Sequence, residues 1–383
     1  MIFATPPLPV GPLRAAIRKA YLADETLAIE PLIKQARFEP AARARIEARA
    51  RELVSNMRAQ RRAGGIEVFL QEYGLDTEEG IVLLCLAEAL LRIPDTATAD
   101  RLIQDKLAAA HWERHLGHSG SLLVNASTWG LMLSGKLVQL DGQVAHGLPS
   151  LLEKLAARLG EPAVRVALKQ AMAILGHQFV AGRTIAEALQ RTRSPALRAY
   201  RCSFDMLGEA ALTSADAERY LESYRRAIAA VGAAAGAART AFDAPGISVK
   251  LSALHPRFEF AQGERLMREL APRVRSLAEA ARAAGVGLTL DAEESERLEP
   301  LLDIFEAVYR TLRDYDGFGL AVQAYQKRAA ATIEWLIELA RARKRRIPLR
   351  LVKGAYWDSE IKRAQERGLA GYPVFTRKSA SDV

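Results

Sequence analysis

Short apolar runs alternating with amphipathic helical stretches after residue 195 predict an α/β fold. It is an incomplete (β/α)8 barrel of the TIM type, about six of eight strands long, preceded by an all-helical arm. Two further observations sharpen this expectation. No G-x-G-x-x-G or Walker loop follows any of the runs, which argues against an open nucleotide-binding sheet. Polar residues also stand at the carboxyl ends of several runs, where barrel enzymes gather their chemistry.

The composition accommodates such a domain. A chain of 383 residues, 50% of them hydrophobic, buries a core without disulfide or metal staples. Cys85 and Cys202 lie far apart and lack zinc-site spacing, which points to a reducing, cytoplasmic setting. Lys and Arg number 54 against 45 Asp and Glu, a net charge of +9 that suits an anionic ligand, membrane surface or nucleic acid. The arginines are spread along amphipathic helices such as 41–62, without the aromatic interleaving of a single-strand binder. There is no run of about 18 apolar residues and no signal pattern, so the expectation is a soluble protein with peripheral membrane contact left open.

In chain order, residues 1–110 read as a helical arm or adaptor, with breaks at Gly64-Gly65 and Pro94. Residues 111–195 read as a helical linker region packing on the barrel. They hold His111, His115, His118 and His146, whose spacing misses the HExxH pattern, so these read as surface or cap residues. Thr184 and Glu187 have capping-box spacing. From 196 to 383 the barrel follows. Its strands are expected at 201–206, 247–254, 287–291, 319–323, 348–353 and 373–376, with helices at 215–231, 263–284, 293–313, 329–344 and 359–366. Arg341 to Arg346 read as a helix C-terminus favoured by the macrodipole.

The groups ending the strands are Asp205 and Glu209, Lys250, Asp291, Gln323, Arg350 with Lys353, and Thr376-Arg377-Lys378. Each alone could be a structural ion pair, but together they are too many buried charges to leave without a ligand. Their expected character is cationic, suited to a phosphate-bearing cofactor and a carboxylate substrate. No nucleophile–base pair and no metal-binding carboxylate cluster stands out, so the hard chemistry is expected of a cofactor.

Five segments carry a specific resemblance: Ser203-Phe204-Asp205-Met206-Leu207-Gly208-Glu209-Ala210-Ala211, Ile247 to Pro256, Leu290-Asp291-Ala292-Glu293-Glu294, Gln323-Ala324-Tyr325-Gln326-Lys327-Arg328 and Leu351 to Asp358. They resemble the proline dehydrogenase part of the bacterial bifunctional proline utilisation (PutA) family. That resemblance implies an FAD-dependent barrel that oxidises L-proline to Δ1-pyrroline-5-carboxylate by hydride transfer to flavin N5. Electrons then pass to a membrane quinone, in the first step of proline catabolism to glutamate.

Carried over by motif, Arg350 and Gln323 contact the isoalloxazine. Lys353, Thr376, Arg377 and Lys378 serve the ribityl and phosphate portion, and Gly354, Ala355 and Trp357 lie near the cofactor. Lys250 meets the proline carboxylate, while Asp291, Ala355 and Tyr356 line the pocket. Lys250, Asp291, Arg350 and Tyr356 form the catalytic set, and Glu209 belongs to a mobile gate. The resemblance also implies a homo-oligomeric parent on the inner face of the cytoplasmic membrane. The family's ribbon-helix-helix segment is not apparent, so no DNA partner is expected. The last two barrel strands and the aldehyde dehydrogenase domain are expected to lie outside this sequence. The rival readings are an inactive fragment that serves in oligomer contacts and a Schiff-base aldolase built on Lys250 or Lys353.

Overall fold

The computed structural model describes residues 10–59, 98, 180–236 and 238–383. The readings made for 60–179, the four histidines included, lie outside the described residues. The chain divides into two units, Pro40–Arg191 and a larger one formed by Met1–Glu39 with Thr192–Val383.

In the smaller unit, α3 (Pro40–Ala59) is laced with Arg43–Glu47 and Arg49–Glu52 pairs at 3.1 and 2.7 Å. Helix α4 (Ile185–Thr192) starts as its sequence predicts. The Thr184 hydroxyl accepts the Glu187 N–H at 3.2 Å, and the Glu187 carboxylate turns back to the Arg183 N–H at 2.8 Å.

The larger unit opens with α1 (Pro12–Lys19) and α2 (Glu25–Gln35). The alternating part then runs β1 (Ser203–Phe204), α5 (Ser214–Ala234), β2 (Gly246–Val249), α6 (Gly263–Ala283), β3 (Gly287–Leu290), α7 (Leu298–Thr311), β4 (Phe318–Gln323), α8 (Ala329–Arg343), β5 (Leu349–Val352) and α9 (Trp357–Glu366). All four strand pairings are parallel and the sheet order is β1-β2-β3-β4-β5. Sequential order without a reversal is barrel order, since a doubly wound sheet has a switch point.

The sheet is curled. Five strands laid flat would separate β1 and β5 by roughly 19 Å at the usual strand spacing, yet Arg350 on β5 donates to the Ser203 hydroxyl on β1 at 2.6 Å. Only an arc closing toward its own inner face brings those strands within one side chain's reach.

Helices α5 to α8 each bury an apolar stripe. On α5, Ala217, Leu221, Tyr224, Ala227, Ile228 and Val231 are buried at helical spacing. Beneath the sheet Phe305 stacks on Tyr309 and Phe318 at 5.6 and 4.9 Å. At the amino ends of β4 and β5, Arg345 donates to the carbonyls of Tyr309, Leu312 and Tyr315. Helix α1 is anchored by the buried Arg14, which pairs with Glu299 at 2.7 Å and Asp303 at 2.8 Å.

Three expected strands differ from the structure. The first, expected at 201–206, joins the sheet only over Ser203–Phe204. The run 247–254 is a strand only to Val249. Leu251–Leu254 makes a helical turn because the Ser252 N–H is taken by the Glu293 carboxylate at 3.0 Å. The expected sixth strand at 373–376 joins no ladder, and Val374 makes an isolated antiparallel bridge to Gln326. Its backbone is satisfied elsewhere. Phe375 N–H donates to the Tyr325 carbonyl at 2.8 Å, and Thr376 N–H to the Glu25 carboxylate at 3.0 Å.

Candidate active site

The register of β2 on β3 pairs Val249 with Leu290, so the next residues, Lys250 and Asp291, leave the sheet side by side. Lys250 Nζ lies 3.4 Å from Asp291 Oδ2. Arg350 points inward from β5 and donates to Ser248 Oγ at 2.8 Å and Ser203 Oγ at 2.6 Å. Its guanidinium stands 3.7 Å from Asp291. Lys250 after β2 and Arg350 on β5 therefore converge on the Asp291 carboxylate after β3, while Ser203 of β1 and Ser248 of β2 brace the Arg350 guanidinium.

Glu209 closes the group from the loop after β1. Its carboxylate, 2% exposed, accepts from Lys250 Nζ at 2.6 Å and from the Tyr224 hydroxyl. Burial opposes the Lys250 ammonium, but the hydrogen bond and charge of Glu209, followed by Asp291, outweigh it and push its pKa up. Burial raises the Asp291 pKa against the pull of Lys250 and Arg350, and the Asp205 charge adds to the rise. The cationic site expected from sequence is thus electrically mixed: Lys250 and Arg350 stand among Glu209, Asp291 and Asp205.

The remaining expected residues follow β4 and β5. The Gln323 amide is buried, donating to the Glu293 carbonyl at 2.9 Å and accepting the Ala355 N–H at 3.1 Å. It fixes the start of the β5–α9 turn. Gly354 has φ +130°, and a Cβ there would fall 1.9 Å from the Tyr325 ring, so only glycine lets the turn pass. Tyr356 sits half-buried, and that burial, with the Glu293 and Glu294 charges, pushes its hydroxyl up to about 12.

Trp357 donates its indole N–H to the Phe375 carbonyl at 2.9 Å. Lys353 and Lys378 both reach Asp382, Thr376 bonds Glu25, and Arg377 lies exposed at the start of the last helical turn. The structure therefore brings Lys250, Asp291, Arg350 and Glu209 into one cluster. It leaves Lys353, Thr376 and Lys378 in a separate exposed row bound to Asp382 and Glu25, with Arg377 exposed beside them. Exposed cations on exchangeable carboxylates, beside the open Ala355 backbone and a half-exposed Trp357, form a donor set that fits an anionic dinucleotide.

Sequence reasoning missed Ser203, Ser248 and Tyr224. Ser248 stands two residues before Lys250 on the same strand face, a signal that was available. The Tyr224 hydroxyl had no such signal, because the ring reads as one more apolar residue of α5. Among the described residues no cluster of His, Cys, Asp and Glu could hold a metal, and no helix is long and apolar enough to cross a membrane.

Comparison with known proteins gives three consecutive family matches. Residues 11–58 match the proline utilization A proline dehydrogenase N-terminal domain, 65–179 the DNA-binding domain of proline dehydrogenase, and 188–383 proline dehydrogenase itself. Bifunctional protein PutA of Escherichia coli K12 is 49% identical over all of this chain, which spans 29% of that protein's length. The Rhizobium meliloti PutA is 46% identical, and this chain spans 31% of it. A crystal structure of a Bradyrhizobium japonicum PutA variant superimposes with a TM-score of 0.67 at 44% identity, covering 98% of this chain and 36% of the other. Sequential parallel strands, the convergence of Lys250, Asp291 and Arg350 from β2, β3 and β5, and a family match over half its length together show that the chain belongs to the proline dehydrogenase family.

Proposed function

We propose that this chain carries the FAD-dependent oxidation of L-proline to Δ1-pyrroline-5-carboxylate, with a membrane quinone as final acceptor, as the first step of proline breakdown to glutamate. The observation that carries the reading is the convergence of Lys250, just past the end of β2, and Arg350, pointing inward from β5, on Asp291 at the end of β3, at 3.4 and 3.7 Å. When bound, the flavin supplies the hydride acceptor, N5.

This chain's residues bind and orient. Lys250 donates to the substrate carboxylate, and Asp291 keeps two neighbouring cations from repelling each other. Arg350, braced by Ser203 and Ser248, stabilises negative charge on the flavin ring. Gln323 orders the turn bearing Ala355 and Tyr356, which wall the pocket. Lys353, Thr376, Arg377 and Lys378 take the ribityl and phosphate portion, exchanging Asp382 and Glu25 for phosphate oxygens, and Gly354 and Trp357 flank it.

In this reading 1–110 remains an arm, 111–195 a linker region and 196–383 the barrel. The parent is a cytoplasmic homo-oligomer that touches the membrane peripherally. The middle stretch matches a family model named for DNA binding, but the reading includes no DNA partner. A Schiff-base aldolase is disfavoured because Glu209 and Asp291 hold Lys250 charged.

The test is the visible spectrum of the purified chain after loading with flavin adenine dinucleotide and removing the excess, repeated with L-proline under anaerobic conditions. Retained flavin that bleaches is the expected result, with Arg350→Ala losing most of the bound flavin. Colourless protein, or flavin that proline leaves oxidised, would favour the inactive-fragment reading.

A further inference from the structure

The proposed function places a substrate carboxylate on Lys250, yet a carboxylate of this chain already sits there. Glu209 Oε2 is 2.6 Å from Nζ, and the side chain is 2% exposed. Leu207 and Leu212 on either side are exposed and do not anchor the loop by packing. Its backbone is tied to Ser252, and the Glu209 carboxylate is held from α5.

Tyr220 donates its hydroxyl to the Gly208 carbonyl, and Tyr224, one turn further along the same face, donates to Glu209 Oε1. The Tyr224 oxygen also accepts the backbone N–H of Lys250 at 3.3 Å, so one buried hydroxyl ties the lysine's own backbone to the carboxylate that occupies its ammonium. Behind it Ser252 donates to the Glu209 carbonyl at 3.3 Å, and the Ala211 N–H donates to the Ser252 carbonyl at 3.0 Å.

We infer that Tyr224 is a positioning residue for the substrate seat. Its hydroxyl holds Glu209 on Lys250 as a built-in ligand, which an incoming amino-acid carboxylate must displace. The inference rests on the proposed role of Lys250 and adds Tyr224 to it. The physical basis is competition for one ammonium: with Glu209 and Asp291 both beside Nζ, a third carboxylate meets repulsion until Glu209 withdraws. Tyr224 therefore weakens carboxylate binding, whereas a purely structural tyrosine would support it.

The experiment is calorimetric titration of the flavin-loaded full-length protein with cyclopentanecarboxylate, which has the ring and the carboxylate but no amine to oxidise. Tyr224→Phe should bind it about fivefold more tightly, the size of one net hydrogen bond released from Glu209. Glu209→Gln, nearly isosteric, should tighten binding at least as much, and adding Tyr224→Phe to it should give nothing more. Unchanged or weaker binding in both single variants would overturn the inference. So would equal tightening by Tyr220→Phe, because that would trace the effect to the loop rather than the carboxylate. Lys250→Met should weaken binding. If it did not, the seat would be elsewhere and both readings would fall, whereas weakening in Lys250→Met without tightening in the other two would remove the Tyr224 inference alone.

Discussion

At Asp291 stability and function pull in opposite directions. Burial, ahead of every charge nearby, raises its pKa above the ordinary aspartate value of about 4. A raised carboxyl pKa stabilises the fold fully below the ordinary value, and that contribution is lost as pH climbs through the raised one. Near neutral pH the ionised carboxylate therefore costs stability, which the protein tolerates because Lys250 and Arg350 lie 3.4 and 3.7 Å away. Asp291→Asn should raise Tm at pH 7 by about 2–4 °C. Thermal melts should show the gain shrinking toward zero below about pH 4. A lower Tm at neutral pH would mean that pairing with the two cations outweighs burial.

Helix α5 does two jobs for the site: its apolar stripe packs on the sheet, and Tyr220 and Tyr224 grip the loop that carries Glu209. Its start is fixed by a capping box. Thr213 Oγ1 accepts the Asp216 N–H at 3.1 Å, and the Asp216 carboxylate accepts the Thr213 N–H at 2.8 Å. Thr213→Ala should destabilise the chain by about 1 kcal/mol, read as a lower urea midpoint with an unchanged slope. Thr213→Ser should recover most of the loss, because it keeps the accepting oxygen. An unchanged midpoint for Thr213→Ala would show that tertiary packing alone sets where α5 begins.

Across the whole molecule, the two ends of the sheet are unlike. β1 is two residues long, whereas β5 carries Leu349, Leu351 and Val352 at 38%, 60% and 38% exposure, and among the described residues it pairs with β4 only. An apolar strand with a free edge is a template for pairing with another chain. The chain should self-associate at micromolar concentration, and Leu351→Lys should shift sedimentation toward the monomer without touching Arg350 or Lys353. Equal association in both would place the contact elsewhere.

Periodicity and small-residue turns were enough to read the barrel order, four of the helices to within a few residues, the place of Asp291 at the end of its strand and that of Arg350 on the fifth strand. Those features are local: alternation of apolar runs and stripes is imposed by backbone geometry, so it is written in neighbouring residues. The cap at Thr184 was legible for the same reason.

Partner choice across distance was not legible. Whether 373–376 pairs with β5 or with the loop after β4 depends on which backbone groups are still unsatisfied in three dimensions, and Tyr325 and Glu25 claim them. The charge of the site was misjudged because the sequence shows cations at strand ends but not that Glu209 folds back onto Lys250. Tyr224 reads as core in the sequence because burial of its ring sets the helical pattern. Only the tertiary structure shows where its hydroxyl goes, since a hydrogen bond is decided by the end of a side chain and its distant neighbours.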